Sequence, residues 1–382
     1  MKKLAIGIMS GTSLDGIDVV VARIEGSFLN TRFNFVAYET IPYADETKNK
    51  IRRAMDPIKC NPKLICSLNF ELSEIYANAI FSVCENNNIS PEEIDYIACH
   101  GQTIYHIGAG DPFSTPSSLQ LGDGSVLANL CHTTVVSNFR SADIAVGGQG
   151  APLVPYADYV LFREEKVSKS MHNIGGISNL TIIPAGSKLE EIIAFDTGPG
   201  NMMIDAFAEI LFKVPYDDSG KLARQGTLNQ KLLTELMNHP YLKVLPPKST
   251  GREEFGIDFS KHILSQYHRL SPYDLICTIT HFTAKSIAKA YKDFVFNKYQ
   301  MDEIIFSGGG ARNKFLMELI KTYLPKQNIK TLSEEGIDDS AKEALAFLIL
   351  GNETLNKAPS NVPSATGATK RVILGQVSYV TD

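Results

Sequence analysis

Six turns in the chain set glycine or arginine beside residues that bind anions or move protons. The first is Ser10-Gly11-Thr12-Ser13-Leu14-Asp15-Gly16-Ile17-Asp18. Its glycines let backbone N–H groups approach an anion, and Thr12 and Ser13 add hydroxyl donors. That composition suits a phosphate cradle inside a β-hairpin, and equally an ordinary polar turn. The second, Cys99-His100-Gly101-Gln102-Thr103, puts a histidine at a strand end, where it could bond a ligand, serve acid–base chemistry or close a loop. In the third, Gln120-Leu121-Gly122-Asp123-Gly124-Ser125, Asp123 is placed to cap the helix that follows. The fourth joins Asn138-Phe139-Arg140-Ser141-Ala142-Asp143 to Gly147-Gly148-Gln149-Gly150-Ala151-Pro152. Arg140 is a forked donor for a carboxylate or phosphate, or half of a structural pair with Asp143. The glycine run reads as a hinge or a close backbone approach to a ligand. The fifth, Phe195-Asp196-Thr197-Gly198-Pro199-Gly200-Asn201, sets a carboxylate at a strand end before a helix, where open α/β sheets hold ligands. Asp196 serves catalysis there or stabilises its own turn. The sixth, Ser307-Gly308-Gly309-Gly310-Ala311-Arg312-Asn313, offers a flat backbone on which a base or ribose could lie, or a plain turn before a helix. Neither a Walker A sequence nor G-x-G-x-x-G occurs, so nucleotide would be held by another architecture.

Alternating strand-like and helix-like segments must position these turns, which argues an α/β fold. Leu4 to Met9 and Ile17 to Ile24 are apolar strands separated only by the first turn, hence an antiparallel hairpin. Phe33 to Thr40 is a third strand. Leu64 to Asn87 has helical spacing, with Leu64, Leu68, Leu72, Ile75 and Ala79 recurring at three and four. Ser90-Pro91 reads as a helix start, and Ile94 to Cys99 as a strand ending at His100. The second half repeats this outline. Met171 to Ile174 runs into Gly175-Gly176, and Asn179 to Pro184 is its partner strand. Ile192 to Phe195 leads to the Asp196 turn and a helix over Asn201 to Lys213. Thr278 to Tyr299 and Ala341 to Leu350 read as helices, Glu303 to Phe306 as a strand. Lys357 to Lys370 reads as a polar connector. Two hairpins far apart in sequence predict two similar lobes.

The 382 residues allow two or three domains. Hydrophobic residues at 44% and charged residues at 21% are ordinary for a globular chain, which excludes disorder as its general state. A net charge of −5 gives no basic field for a nucleic-acid backbone. The six cysteines form no CxxC pair and show no zinc-ligand spacing, so they read as reduced thiols. No apolar run reaches the roughly 18 residues that span a bilayer, and Asp15 and Asp18 follow the short apolar start too soon for a signal peptide. A cytoplasmic protein without membrane or nucleic-acid partners is expected.

Taken together and in order, the motifs resemble those of the anhydro-N-acetylmuramic acid kinases, in the sugar kinase, heat-shock chaperone and actin superfamily. They are Met9 to Gly16, His100-Gly101-Gln102-Thr103, Asn138-Phe139-Arg140, Gly147 to Pro155, Asn173-Ile174-Gly175-Gly176, Phe195 to Asn201, Ser307 to Gly310 and Lys342-Glu343-Ala344. The resemblance implies two lobes of the actin-like ATPase (ribonuclease H-like) fold about a cleft, residues 1–130 with 366–382 and residues 131–365. It implies ATP with Mg²⁺ as cofactor and a homodimer that recycles peptidoglycan amino sugar. Gly11, Thr12, Ser13, Leu14, Asp15, Gly16, Ile17 and Asp18, with Gly175 and Gly176, would face phosphates. Gly308, Gly309 and Gly310 would face adenosine. His100, Gln102, Asn138, Arg140 and Gly148 would meet the sugar, with Arg140 on its lactyl carboxylate or at the phosphoryl site, and Asp196 would be the base. Many members of the wider superfamily carry Asp where Met9 stands, so no Mg²⁺ ligand is assigned. Two rival readings are an ordinary hexose kinase and a non-catalytic nucleotide switch.

Overall fold

The computed structural model describes every residue except 1, 12, 13, 15, 109, 111, 340, 381 and 382. Its strands are β1 Lys3–Ser10, β2 Ile17–Glu25, β3 Arg32–Ile41, β4 Tyr96–Ile107, β5 Ser117–Leu121, β6 Val135–Ser137, β7 Lys169–Ile174, β8 Ile177–Ile183, β9 Ile193–Pro199, β10 Glu303–Ser307, β11 Ile329–Thr331 and β12 Gln376–Ser378. The chain divides into two units, Met1–Leu161 with Ser340–Asp382, and Phe162–Asp339.

In the first unit the strands lie in the order β12-β6-β4-β1-β2-β3, with β5 paired to β4. β1, β2 and β3 are antiparallel neighbours, β4 runs parallel to β1, and β6 runs parallel to β4. The second unit has the order β11-β10-β7-β8-β9 with the same directions. One topology is therefore traced twice, β3-β2-β1-β4-β6 and β9-β8-β7-β10-β11. This is the ribonuclease H-like order, and it matches the α/β class and the two similar halves expected from the hairpins.

The division falls after Leu161 and before Ser340, rather than at the expected 130/131 and 365/366 boundaries. The reason is hydrogen bonding and packing. β6 pairs with β4, and the helix Ala341–Leu355 packs on β1, β2 and β4, so both belong with the first sheet. β12 pairs with β6, which brings the C-terminal residues into the same sheet. Nor is 357–370 a solvated connector, since Ser360, Asn361, Val362 and Thr366 are buried.

β1 shows why the core strands read as unbroken apolar runs. Leu4, Ile6 and Ile8 join Leu68, Leu72 and Tyr76 of the helix Pro62–Asn86 in one cluster. The opposite face of β1 meets the helix Ala341–Leu355, so neither face is left to water. The helix Pro62–Asn86 starts two residues before the expected Leu64, because the Asn61 side chain accepts from Leu64 N–H at 3.0 Å and Pro62 needs no partner for its nitrogen. β4 continues past His100 to Ile107 because β5 pairs with Gln102 to Ile107. Pro91–Glu93 is a single 3₁₀ turn. The long helix of the second unit begins at Pro272, capped by Ser271, and turns into a π turn at Tyr291–Val295.

Gly7 sits where β1 comes closest to the helix Ala341–Leu355, and a Cβ there would be driven into the carbonyl of Ala344. Gly7→Ala is expected to destabilise the fold by roughly 1–3 kcal/mol, the usual cost of overpacking a core. Urea unfolding checks this, and an unchanged midpoint would contradict the packing.

Candidate functional site

In the first unit the β1–β2 turn is held from beneath. The carbonyl of Gly11 accepts from Leu14 N–H at 3.3 Å and from the Gln102 side-chain amide at 3.2 Å. Gln102 is fully buried, and its Oε1 lies 3.5 Å from the Tyr43 hydroxyl. Ser10 and Tyr76 share a hydroxyl hydrogen bond of 2.9 Å. Burial pushes the Tyr43 hydroxyl up to about 12 and holds Tyr76 well above the ordinary tyrosine range, so both stay neutral. Gln102 thus supports the hairpin. Leu14 and Ile17 are buried in the core, and Gly16 packs where a Cβ would lie 2.7 Å from the carbonyl of Ile41. Thr12, Ser13 and Asp15 lie outside the described residues. Asp18 Oδ1 accepts from the hydroxyls of Tyr38 at 2.8 Å and Thr40 at 2.6 Å on β3.

His100 is buried at the bend of β4. Its Nε2 lies 2.8 Å from Nη2 and 3.2 Å from Nε of Arg140. A guanidinium only donates, so Nε2 accepts, and Nδ1 donates to the carbonyl of Gly101 at 2.7 Å. Burial, then the Arg140 charge, hold His100 well below the ordinary histidine range. It is a neutral bracket for Arg140, unsuited to acid–base chemistry. Arg140 Nη1 also donates to the carbonyl of Gly150 at 2.7 Å. The alternative pairing with Asp143 does not form among the described residues. The Asp143 carboxylate accepts instead from Gly150 N–H, Asn361 Nδ2 and the Thr366 hydroxyl, each at 2.8 Å. Gly148 packs directly on that carboxylate, leaving no room for a Cβ. The glycine run is therefore pinned on Asp143 and lies within the first unit, which excludes the hinge reading. Asn138 is exposed and accepts from the Ser141 hydroxyl at 2.6 Å. Asp123 caps the helix Gly124–Cys131, accepting from Ser125 and Val126 N–H.

Glu343, in the first turn of the helix Ala341–Leu355, is the residue sequence reasoning left without a role. Burial pushes its carboxyl up, Lys342 opposes this, Asp18 adds to it, and Arg140 opposes it again. Asp18, Arg140 and Glu343 therefore share one electrostatic neighbourhood. Beside it Lys342 and Asp158 form a buried ion pair at 3.0 Å. A Lys-Glu pair opening an otherwise apolar helix was the available signal.

In the second unit, parallel pairing assembles the glycine turns. β10 runs beside β7 with Ser307 opposite Asn173, so the turns after both strands emerge at one sheet edge. Gly308 packs on the Asn173 side chain and Gly310 on Ile174, while a Cβ on Gly309 would lie 3.4 Å from the Asn201 side-chain amide. The carbonyls of Gly175 and Gly176 accept from the N–H groups of Gly200, Asn201 and Met202 at 2.8 to 3.0 Å. This turn thus fixes the start of the helix Asn201–Phe212.

Asp196 reaches the same edge on β9 and is held by a segment that carried no motif. Its N–H donates to the carbonyl of Lys248 at 3.0 Å. Its carbonyl accepts from the Tyr241 hydroxyl at 2.8 Å, and Oδ2 accepts from Thr250 N–H at 2.9 Å. The carboxylate is bonded far along the chain rather than to its own turn. Burial pushes it up to about 6, against the pull of Thr250 N–H and Lys248, with Glu253 adding to the rise. The Lys248 amine lies over the rings of Tyr241 at 4.6 Å and Phe294 at 4.8 Å. Burial brings it down to about 8, with Asp196 opposing. Such a carboxylate sits at the threshold between acid and base near neutral pH.

The sequence model of the family described as anhydro-N-acetylmuramic acid kinase matches residues 3–380. The chain belongs to that family. It is 52% identical over 377 residues to the anhydro-N-acetylmuramic acid kinase of Francisella tularensis subsp. novicida (strain U112), covering 99% of both chains. It is 48% identical over 375 residues to the enzyme of that name from Bacillus cereus (strain Q1), covering 98% of both. Whole-length agreement places both halves of the geometry above within the family.

A carboxyl whose folded pKa is raised favours the fold below its unfolded value of about 4, and that contribution is lost as pH rises through about 6. Asp196→Asn is therefore expected to unfold at higher urea than the parent at pH 8, by roughly 1–3 kcal/mol, with the gain shrinking at pH 4. Unfolding curves at both pH values check this; a gain independent of pH would contradict the burial of an ionised Asp196.

Proposed function

We propose that the chain uses ATP to convert 1,6-anhydro-N-acetylmuramic acid into N-acetylmuramic acid 6-phosphate and ADP, opening the anhydro ring with water as O6 is phosphorylated. Family membership supports the substrate, and the near-neutral, interior-bonded carboxylate of Asp196 is the observation that carries the chemistry. The bridging ether oxygen is a poor nucleophile. Ring opening and transfer therefore proceed together: water attacks C1, O6 leaves C1 with the bonding electrons, and O6 takes the γ-phosphoryl group. Asp196 accepts the water's proton.

The remaining residues bind and orient. The turns at Gly11 to Asp18 and Gly175-Gly176 offer backbone to phosphates, and Gly308 to Gly310 offer a flat surface to adenosine. Arg140, fixed by His100 and Gly150, presents an oriented fork to the lactyl carboxylate. Mg²⁺, which typically takes one or two carboxylates beside phosphates, is part of the proposal as the partner of ATP, with no residue assigned to hold it. The ion supplies charge neutralisation on the phosphates when bound. Free cysteines fit a reducing cytoplasm, and no described helix is long and apolar enough to cross a membrane. A homodimer is part of the proposal through family membership.

Asp196→Asn is expected to lower turnover roughly 10²–10⁴-fold with little change in KM, as for loss of a general base. Near-normal turnover in the folded variant would remove Asp196 from this role. In ¹⁸O-labelled water the product is expected to carry label at C1 and none in the phosphate ester, with a control for slow exchange at the anomeric centre. Label confined to free phosphate would mean plain ATP hydrolysis. Equal turnover of free and anhydro sugar would favour an ordinary hexose kinase.

A further inference from the structure

The segment that holds Asp196 contains a second group aimed at no protein partner. The Thr250 hydroxyl oxygen is buried and has no hydrogen-bond partner among the described residues. Leaving a hydroxyl so is costly, and buried polar atoms without a partner call for a specific reason. This hydroxyl belongs to the residue whose N–H bonds Oδ2 of Asp196 at 2.9 Å. Carboxylate and hydroxyl therefore sit within one residue of each other. The Thr250 N–H is bonded to one carboxylate oxygen, Oδ2, and Oδ1 is the other acceptor of the same group. The backbone between them is fixed, because Asp196 N–H bonds the carbonyl of Lys248 and the Tyr241 hydroxyl bonds the carbonyl of Asp196.

We propose that the Thr250 hydroxyl is the second holder of the attacking water, a role that rests on Asp196 being the base. The water donates one hydrogen to Asp196 Oδ1 and the other to Thr250 Oγ1. Both O–H bonds are then fixed, and a lone pair is left to face C1. As the new C1–O bond forms, the C1–O6 bond breaks with its electron pair on O6. O6 bonds the γ-phosphorus, and the bond to the β–γ bridging oxygen breaks to release ADP. The proton moves to Asp196 and then to solvent. Thr250 exchanges no proton; it selects one orientation of the water and so the near-attack geometry.

Thr250→Val keeps the backbone N–H to Asp196 and the side chain's shape, and removes only the hydroxyl. Its kcat is expected to fall roughly 10–100-fold, the range for one hydrogen bond to a group gaining charge. KM for both substrates and the acid limb of the pH–rate profile should stay in place, since Asp196 keeps its bond. Thr250→Ser should return kcat to within about threefold of the parent, which a purely packing role for the methyl group would not do. Full kcat in Thr250→Val, or a serine variant as slow as the valine one, overturns the proposal. Asp196→Asn runs alongside. If it keeps full turnover, the base assignment fails and this inference falls with it; if it is inactive while Thr250→Val is normal, only this inference fails.

Discussion

A carboxylate buried in protein stays an anion at neutral pH only where the interior bonds to it. For Asp196 that bond is the N–H of Thr250, and the state of the carboxylate depends on it. The donor is not supplied by the sheet. It comes from a segment without regular structure at 244–250, registered against β9 by the Lys248 carbonyl and the Tyr241 hydroxyl. The Lys248 amine, lying over the rings of Tyr241 and Phe294, anchors that segment and sets a cation near the carboxylate. One N–H and a partly desolvated amine offset burial only in part. The balance leaves the carboxyl at about 6, close enough to neutral to accept a proton and release it again.

The first unit solves the opposite problem, fixing a cation, with the same economy of partners. Arg140 is oriented by two acceptors without formal charge, His100 Nε2 and the Gly150 carbonyl. A carboxylate in either place would neutralise the fork. Burial lowers Arg140 to about 10, and the Glu343 charge opposes this. Asp143, which might have paired with Arg140, is occupied by Gly150, Asn361 and Thr366. Its charge holds the glycine run in place, and through Gly150 it steadies the guanidinium indirectly.

The strands and glycine turns were legible in the sequence because apolar runs and Gly-rich breaks are local signals. β1, β2, β3, β7, β8, β9 and β10 lie where their residues predict, as does Asp123 as a cap. What escaped was set by pairing at long range. β6 and β11 are three residues each and exist because a longer parallel neighbour lies beside them. The boundary between units was misplaced for the same reason, since a connector and a strand look alike until the partner is known. Glu343, Lys248 and Thr250 carry no pattern of their own; their meaning comes from what the fold sets against them.

The motif glycines show how the two kinds of information meet. From composition alone, Gly148 and Gly308 read as places where a ligand meets the backbone, and Gly200 as part of a turn into a helix. Each is also required by the protein itself. A Cβ on Gly148 would strike the Asp143 carboxylate, one on Gly200 the Gly175 carbonyl, and one on Gly308 the Asn173 side chain. Gly308 and Gly147 also have positive φ, the left-handed region that glycine adopts without strain. The turns are tight because their own packing demands it, and only a tight turn keeps neighbouring N–H groups and side-chain amides at a shared edge. Glycine there is a constraint on position first, and the exposure of backbone to a ligand follows from it.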